Sequence, residues 1–171
     1  MGPGPGPKSY RSGEPAAVRA LRTPRTHVQA PFPPSRLVTP LSEPEALVAV
    51  AYCAAYADGA MGAEEDARLD EHLSECRALQ RCDPATLDAA RRKVARLASE
   101  EGDAALLSAA AQALPQPMRE TAFCLAADIT LADGDIAEEE RAFIGRLRKE
   151  LQVEESLASR IVEVVLIRNR A

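Results

Sequence analysis

The feature that most constrains the fold of this chain is an internal repeat. Residues 45–71 align without gaps with residues 120–146, and eight of the 27 aligned pairs are identical. Both copies contain an Asp-Gly pair, an apolar residue two positions later and two glutamates, at positions 58–65 and 133–140. Glycine commonly ends a helix, and acidic residues are favoured in the first turn of the next one. The repeat therefore predicts two related helical hairpins, which we expect to pack about a pseudo-twofold axis.

The rest of the chain also favours helices over strands. Aromatic residues make up only 4% of the sequence, tryptophan is absent, and alanine is abundant. Apolar residues recur with the helical period, and several segments begin with a capping residue or proline and end near glycine. We predict an all-α fold of about seven helices. The predicted helices cover residues 43–58, 63–79, 84–102, 104–114, 117–132, 137–151 and 154–168.

Local patterns predict four further details of these helices. Ser42 and Glu45 form a capping-box pattern before the first helix, and Asp83 precedes the proline that opens the third. Asp103 is expected to cap the fourth helix. In the last helix, the spacing predicts that four residues point inward: Leu157, Ile161, Val164 and Val165.

Charge and proline content divide the chain into two regions. Residues 1–40 contain six basic residues and one acidic residue, and ten of the 13 prolines lie at or before Pro44. Such a segment cannot bury enough apolar surface to offset the entropy of ordering. We predict a flexible basic tail over residues 1–40 and one helical domain over residues 41–171. The tail is expected to be a solvated extension, with contact to nucleic acid or anionic lipid as the less favoured alternative.

The same patterns predict a cytoplasmic protein. The longest apolar run, Ala46 to Ala57, is too short to cross a bilayer, and the N-terminus has no signal-peptide pattern. The four cysteines form no Cys-x-x-Cys pair. His72, Cys76 and Cys82 are the best zinc candidates, but no fourth ligand lies nearby, so idle thiols are favoured.

The two Asp-Gly loops carry the candidate chemistry. Each aspartate follows the end of a helix, where the helix dipole disfavours negative charge, and a bound cation would remove that conflict. The loops resemble the second half of an EF-hand, although residues that cannot bind calcium occupy the first two ligand positions. A metal site would therefore need both loops to face one another. Its candidate ligands all carry a carboxylate: Asp58, Glu65, Asp133 and Glu140, with Asp128 and Asp135 as additional oxygen donors.

An all-oxygen site favours calcium or magnesium, with zinc or manganese as alternatives. The residues are also consistent with a simpler role, in which the carboxylates only cap helices and loop amides. This second interpretation needs no metal, and it is the one that the residue pattern alone favours.

The two loops, Ala57 to Glu65 and Leu131 to Arg141, resemble those of the TerB-like family (tellurite-resistance protein B). The resemblance extends over about residues 42–170. It implies an all-helical fold in two related halves, with divalent metal bound by Asp58, Glu65, Asp133 and Glu140. It also implies a role in tellurite resistance or stress response, through protein partners that are often at a membrane, and without catalysis.

Two functions follow from these observations. The first is a non-enzymatic TerB-like module that binds a divalent metal through its acidic loops and acts through a protein partner. The alternative is a purely structural protein-interaction domain whose loops bind no metal. An enzyme is disfavoured because the sequence has no nucleophile elbow and no glycine-rich phosphate loop. No small-molecule substrate is expected.

Overall fold

The computed structural model describes residues 39–57, 62–134 and 136–170. The predicted basic tail lies outside these residues, apart from its last two positions. The described residues form seven α-helices and no strand, which confirms the predicted fold class. The helices are α1 (Glu43–Ala55), α2 (Ala63–Glu75), α3 (Pro84–Glu101), α4 (Asp103–Ala113), α5 (Gln116–Thr130), α6 (Glu138–Glu150) and α7 (Glu155–Arg168).

The helix starts follow the local sequence closely. Ser42 is the N-cap of α1, and its hydroxyl and the Glu45 carboxylate each accept a hydrogen bond from the other residue's N–H. Asp83 caps α3 by accepting a hydrogen bond from the Thr86 N–H at 3.0 Å. The prediction for Asp103 is wrong, because Gly102 is the N-cap of α4 and Asp103 is the first helical residue. Gly102 has a φ of 83°, which lets the chain turn directly from α3 into α4.

Helix α2 ends four residues earlier than the sequence predicts. Cys76 takes an extended conformation, with a ψ of 107°, and its N–H donates to the His72 carbonyl. The following residues form turns in which Leu79 is buried. Leu79 therefore enters the core from a turn, and its apolar character does not require the helix to continue.

Helix α1 is the centre of the fold. It contacts α2, α3, α4 and α5, and its residues from Ala46 to Ala51 are all buried. A helix that is apolar on every side is stable only when other helices surround it. The small alanine side chains allow those neighbours to approach closely. No helix within the described residues is long and apolar enough to cross a membrane.

The two hairpins predicted from the repeat, α1 with α2 and α5 with α6, pack against each other. Helix α5 contacts α1 and α2 of the first hairpin, while α3 lies on α1 and α7 lies on α5. The pseudo-twofold relation itself stays a prediction. In α7 the buried residues are Ala158, Val162, Val165 and Leu166. The prediction that Val164 points inward is wrong, since 63% of its surface is exposed.

Candidate functional site

The second Asp-Gly loop follows the last turn of α5. The chain turns at Leu131, and the Gly134 N–H donates to the Leu131 carbonyl at 3.2 Å. Gly134 has a φ of 79°, a left-handed conformation that strongly favours glycine. Of the predicted site, Asp58, Asp135 and the side chain of Glu65 lie outside the described residues. Asp128, Asp133 and Glu140 can be placed.

The end of α7 holds this loop in position. The Asn169 side-chain amide donates to the Leu131 carbonyl at 3.0 Å. A Cβ atom added to Gly134 would lie 2.5 Å from the Asn169 carbonyl oxygen, much closer than such atoms can approach. Glycine is therefore required here both for its backbone conformation and for the space it leaves. Sequence reasoning did not identify Asn169, because nothing in the sequence indicates that the chain's C-terminal residues meet this loop.

Asp128, on α5 just before the loop, is paired with an arginine. The Arg168 guanidinium donates to both carboxylate oxygens of Asp128, at 2.8 and 3.4 Å. Charge-assisted contacts of this two-point kind fix both side chains in orientation. In this structure the Asp128 carboxylate therefore joins α5 to the end of α7. Its role as an additional metal ligand stays a prediction.

Glu140 caps the helix that follows the loop. One of its carboxylate oxygens accepts a hydrogen bond from the Ala137 N–H at 2.7 Å, which is one half of a capping box. The other half is missing because Ala137, the N-cap residue, has no side-chain oxygen. This contact uses the Oε2 atom only.

Asp133 is the most accessible of the three placed candidates, with 79% of its side chain exposed. Among the described residues its nearest cation is the guanidinium of Arg68, with an N–O separation of 3.8 Å. Arg68 belongs to α2, the helix that follows the first Asp-Gly loop. The structure therefore brings the second loop next to the helix that the first loop precedes. Sequence reasoning did not find this pairing, since the two residues are far apart in the chain.

The first hairpin is closed by a contact just outside its loop. The Tyr56 hydroxyl, at the end of α1, donates a hydrogen bond to the Asp66 carboxylate in the first turns of α2. Burial and the adjacent Asp66 carboxylate raise the pKa of Tyr56, so the hydroxyl remains a donor throughout the neutral range. This contact fixes the distance between the two helices that flank the loop.

The metal candidates do not form a complete site within the described residues. There, no group of three or more His, Cys, Asp or Glu side chains could hold a metal ion, which includes the zinc candidates His72, Cys76 and Cys82. Asp133 and the second oxygen of Glu140 are suited to a hard cation, which takes six or more oxygen ligands when it is calcium. A metal here would depend on further oxygens from Asp58 and Glu65.

The four cysteines differ in accessibility. Cys53 is buried, Cys76 and Cys82 are half-buried, and Cys124 is exposed on α5. Burial, with a further contribution from Asp103, raises the pKa of the Cys53 thiol. A protonated, buried thiol is a weak nucleophile, so Cys53 has the properties of a core residue.

The described residues form two helical hairpins, and in the sequence an Asp-Gly pair follows the first helix of each hairpin. These features define a class of small helical modules with acidic loops. One family of this class matches: the model of tellurite resistance protein TerB covers residues 44–162 of the chain. The chain belongs to the TerB family. No curated protein and no solved structure gives a significant match.

Proposed function

We propose that this TerB-family chain is a non-enzymatic module of tellurite resistance or stress response. In this proposal it binds a divalent cation between its two Asp-Gly loops and acts through a protein partner. The observation that carries the proposal is the position of Arg68 beside Asp133. A shared metal site requires the two loops to be neighbours, and this contact joins the second loop to the helix that follows the first.

The charge around Asp133 supports the same proposal. Asp133 follows the end of α5, where the helix dipole disfavours a carboxylate, and among the described residues the Arg68 guanidinium, at 3.8 Å, is its one ion-pair partner. A cation held by Asp133 and Glu140, with Asp58 and Glu65 from the first loop, would neutralise this charge. It would also connect the two hairpins. Metal binding would then change the charge of an acidic surface that a partner recognises.

The decisive experiment is calorimetric titration of the chelator-treated full chain with calcium, magnesium, manganese and zinc. We expect saturable binding by the wild type and at least a tenfold loss of affinity in Asp133→Asn, because a ligand oxygen loses its charge. Arg68→Gln is expected to bind the metal more tightly, since a competing cation has been removed. No enzymatic step is involved, so heat of binding is the complete readout.

Asp88→Asn is the matched control, because Asp88 is an exposed carboxylate on α3 and belongs to neither loop. Its affinity should equal that of the wild type. If no metal binds at millimolar concentration, or if Asp133→Asn binds as well as Asp88→Asn, the metal part of the proposal is wrong.

A second candidate function has its own support. Asp128 is held by Arg168, and Glu140 caps α6, so two of the predicted ligands already have structural roles. On this alternative the loops bind no metal, and the chain is a purely structural protein-interaction domain. The alternative predicts that the titration gives no binding and that Asp133→Asn changes neither stability nor partner affinity.

A further inference from the structure

A groove lies between α6 and α7, on a part of the molecule that neither Asp-Gly loop explains. Its volume is about 260 Å³, and its floor is apolar. Phe123, Ile144 and Val162 form part of that floor, and each of these side chains is almost completely buried in the core. An apolar floor that opens to solvent is suited to an apolar side chain from another molecule.

The walls of the groove are basic. Four cationic residues of α6 contribute to its lining: Arg141, Arg146, Arg148 and Lys149. Two acidic residues also line it, and each is already paired. Glu138 lies 2.7 Å from Arg141, and Glu155 lies 3.9 Å from Arg148. Within the described residues, Arg146 and Lys149 have no ion pair, so the groove has a net positive charge.

This positive charge is unusual for the chain. The whole sequence has a formal net charge of −5, and residues 1–40 are basic, so the helical domain is more acidic still. An acidic molecule is therefore repelled by most of the domain and attracted to this groove. Such charge complementarity selects a binding position and increases the rate of association.

Gly145 indicates that the groove is kept open. It lies within α6, and a Cβ atom added to it would meet no atom within 4 Å. Neither packing nor backbone conformation requires glycine at this position, and glycine is a poorer helix former than alanine. A glycine that lines an open groove allows the backbone of a bound segment to approach the helix closely.

Arg141, in the lining of the groove, has a hydrogen-bond donor that no described residue satisfies. Its Nη1 atom donates to Glu138, while its Nε atom is buried and has no hydrogen-bond partner among the described residues. An unsatisfied buried donor is unfavourable. The guanidinium would gain hydrogen bonds if it turned toward a carboxylate in the groove.

We propose that the groove between α6 and α7 binds an acidic peptide segment of a protein partner. An apolar side chain of the segment contacts the floor at Phe123 and Ile144, and its carboxylates pair with Arg146 and Lys149. The backbone of the segment passes over Gly145. This inference rests on the partner-dependent part of the proposed function and is independent of metal binding.

The test uses a short fluorescent peptide of alternating glutamate and leucine residues, with anisotropy as the readout. The full chain is titrated into the peptide in the presence of EDTA, so that no metal contributes. The wild type should bind the acidic peptide, and binding should weaken as salt is added. A peptide with lysine in place of glutamate should not bind, and one with alanine in place of leucine should bind more weakly.

Two variants assign the binding to the groove. The double variant Arg146→Ala with Lys149→Ala should weaken binding by about tenfold or more, because two cations that line the groove are removed. Gly145→Ala should also weaken binding, yet leave the thermal stability equal to or above that of the wild type. If the Gly145→Ala variant stays folded but binds the peptide more weakly, Gly145 has a role in binding and not in stability. Arg92→Ala removes one exposed cation on α3, outside the lining of the groove, and is the control for a loss of positive charge elsewhere.

Three results would overturn the inference. The acidic peptide fails to bind, or the double variant binds it as well as Arg92→Ala does. In the third, the wild type binds vesicles that contain phosphatidylserine, the double variant does not bind them, and the acidic peptide does not compete with the vesicles for the wild type. This last result would assign the groove to a membrane surface. None of these results bears on the metal titration, so failure of this inference and failure of the metal proposal are distinguishable.

Discussion

Arg168, in the last turn of α7, donates hydrogen bonds to both carboxylate oxygens of Asp128, which lies 40 residues earlier on α5. Asn169, the next residue, donates to the carbonyl of Leu131. The last residues of α7 thus hold the end of α5 and the loop that follows it. The position of the second Asp-Gly loop depends on this contact as much as on the loop's own sequence.

The Asp128–Arg168 pair should contribute measurably to stability. Asp128 is only 20% exposed, so Asp128→Asn should lower the free energy of unfolding by about 1 kcal/mol, as measured by urea denaturation. Glu100→Gln is the control, because it breaks the exposed Arg96–Glu100 pair within α3, at 2.9 Å. That pair is expected to contribute about 0.5 kcal/mol or less. Equal losses in the two variants would show that the Asp128 contact has no special role.

Three glycine substitutions should have different effects. Gly134→Ala should destabilise the protein by about 2 kcal/mol or more, because alanine meets both an unfavourable φ and a clash with Asn169. Gly102→Ala meets only an unfavourable φ, in open space, and should cost about 1 kcal/mol. Gly145→Ala should stabilise the protein by about 0.5–1 kcal/mol. Thermal and urea unfolding should rank Gly134→Ala as the least stable variant, followed by Gly102→Ala and then Gly145→Ala. A different ranking would contradict the geometry of the loop.

Completing the capping box of α6 should stabilise the protein. Ala137→Ser supplies the missing hydroxyl at a position where Glu140 already caps the backbone, so we expect a gain of about 0.5–1 kcal/mol. Ser42→Ala removes the equivalent hydroxyl from α1 and should have the opposite effect. If Ala137→Ser leaves stability unchanged while Ser42→Ala is destabilising, the missing hydroxyl at position 137 does not lower the stability of α6, and the prediction is wrong.

Stability should decrease in acid partly through Glu45. Burial alone would raise the pKa of this carboxyl, but hydrogen bonds from Lys93 and from the Ser42 N–H outweigh it and lower the pKa below 4.5. The folded state therefore binds a proton less readily than the unfolded state. The stabilisation is complete above about pH 4.5 and is lost as the pH falls through the lowered pKa.

Glu45→Gln should therefore lower stability at neutral pH and make the loss of stability in acid less steep. Urea denaturation between pH 3 and pH 7 measures both effects. Glu43→Gln is the control, since Glu43 is an exposed acid in the first turn of the same helix without the Lys93 contact. Parallel pH curves for the wild type and Glu45→Gln would contradict the prediction.

The helices were predictable because their signals are local. The capping box at Ser42 and Glu45 and the cap at Asp83 join residues three positions apart, and the structure confirms both. The buried run of α1 was equally clear, because an all-apolar helix must be surrounded. Val164 was mispredicted for a physical reason: α7 is apolar around much of its circumference, so its sequence does not say which side faces the core.

The sequence by itself determined the helical class, the positions of most helix ends, the repeated Asp-Gly loops and the family. Only the tertiary structure decided which residues meet: Asp128 with Arg168, Gly134 with Asn169, and Asp133 with Arg68. The basic groove between α6 and α7 is likewise formed by helix packing. Helix propensity and capping depend on neighbours within one turn. Contacts between distant helices depend on the register at which their surfaces pack, and that register is fixed only when the whole core assembles.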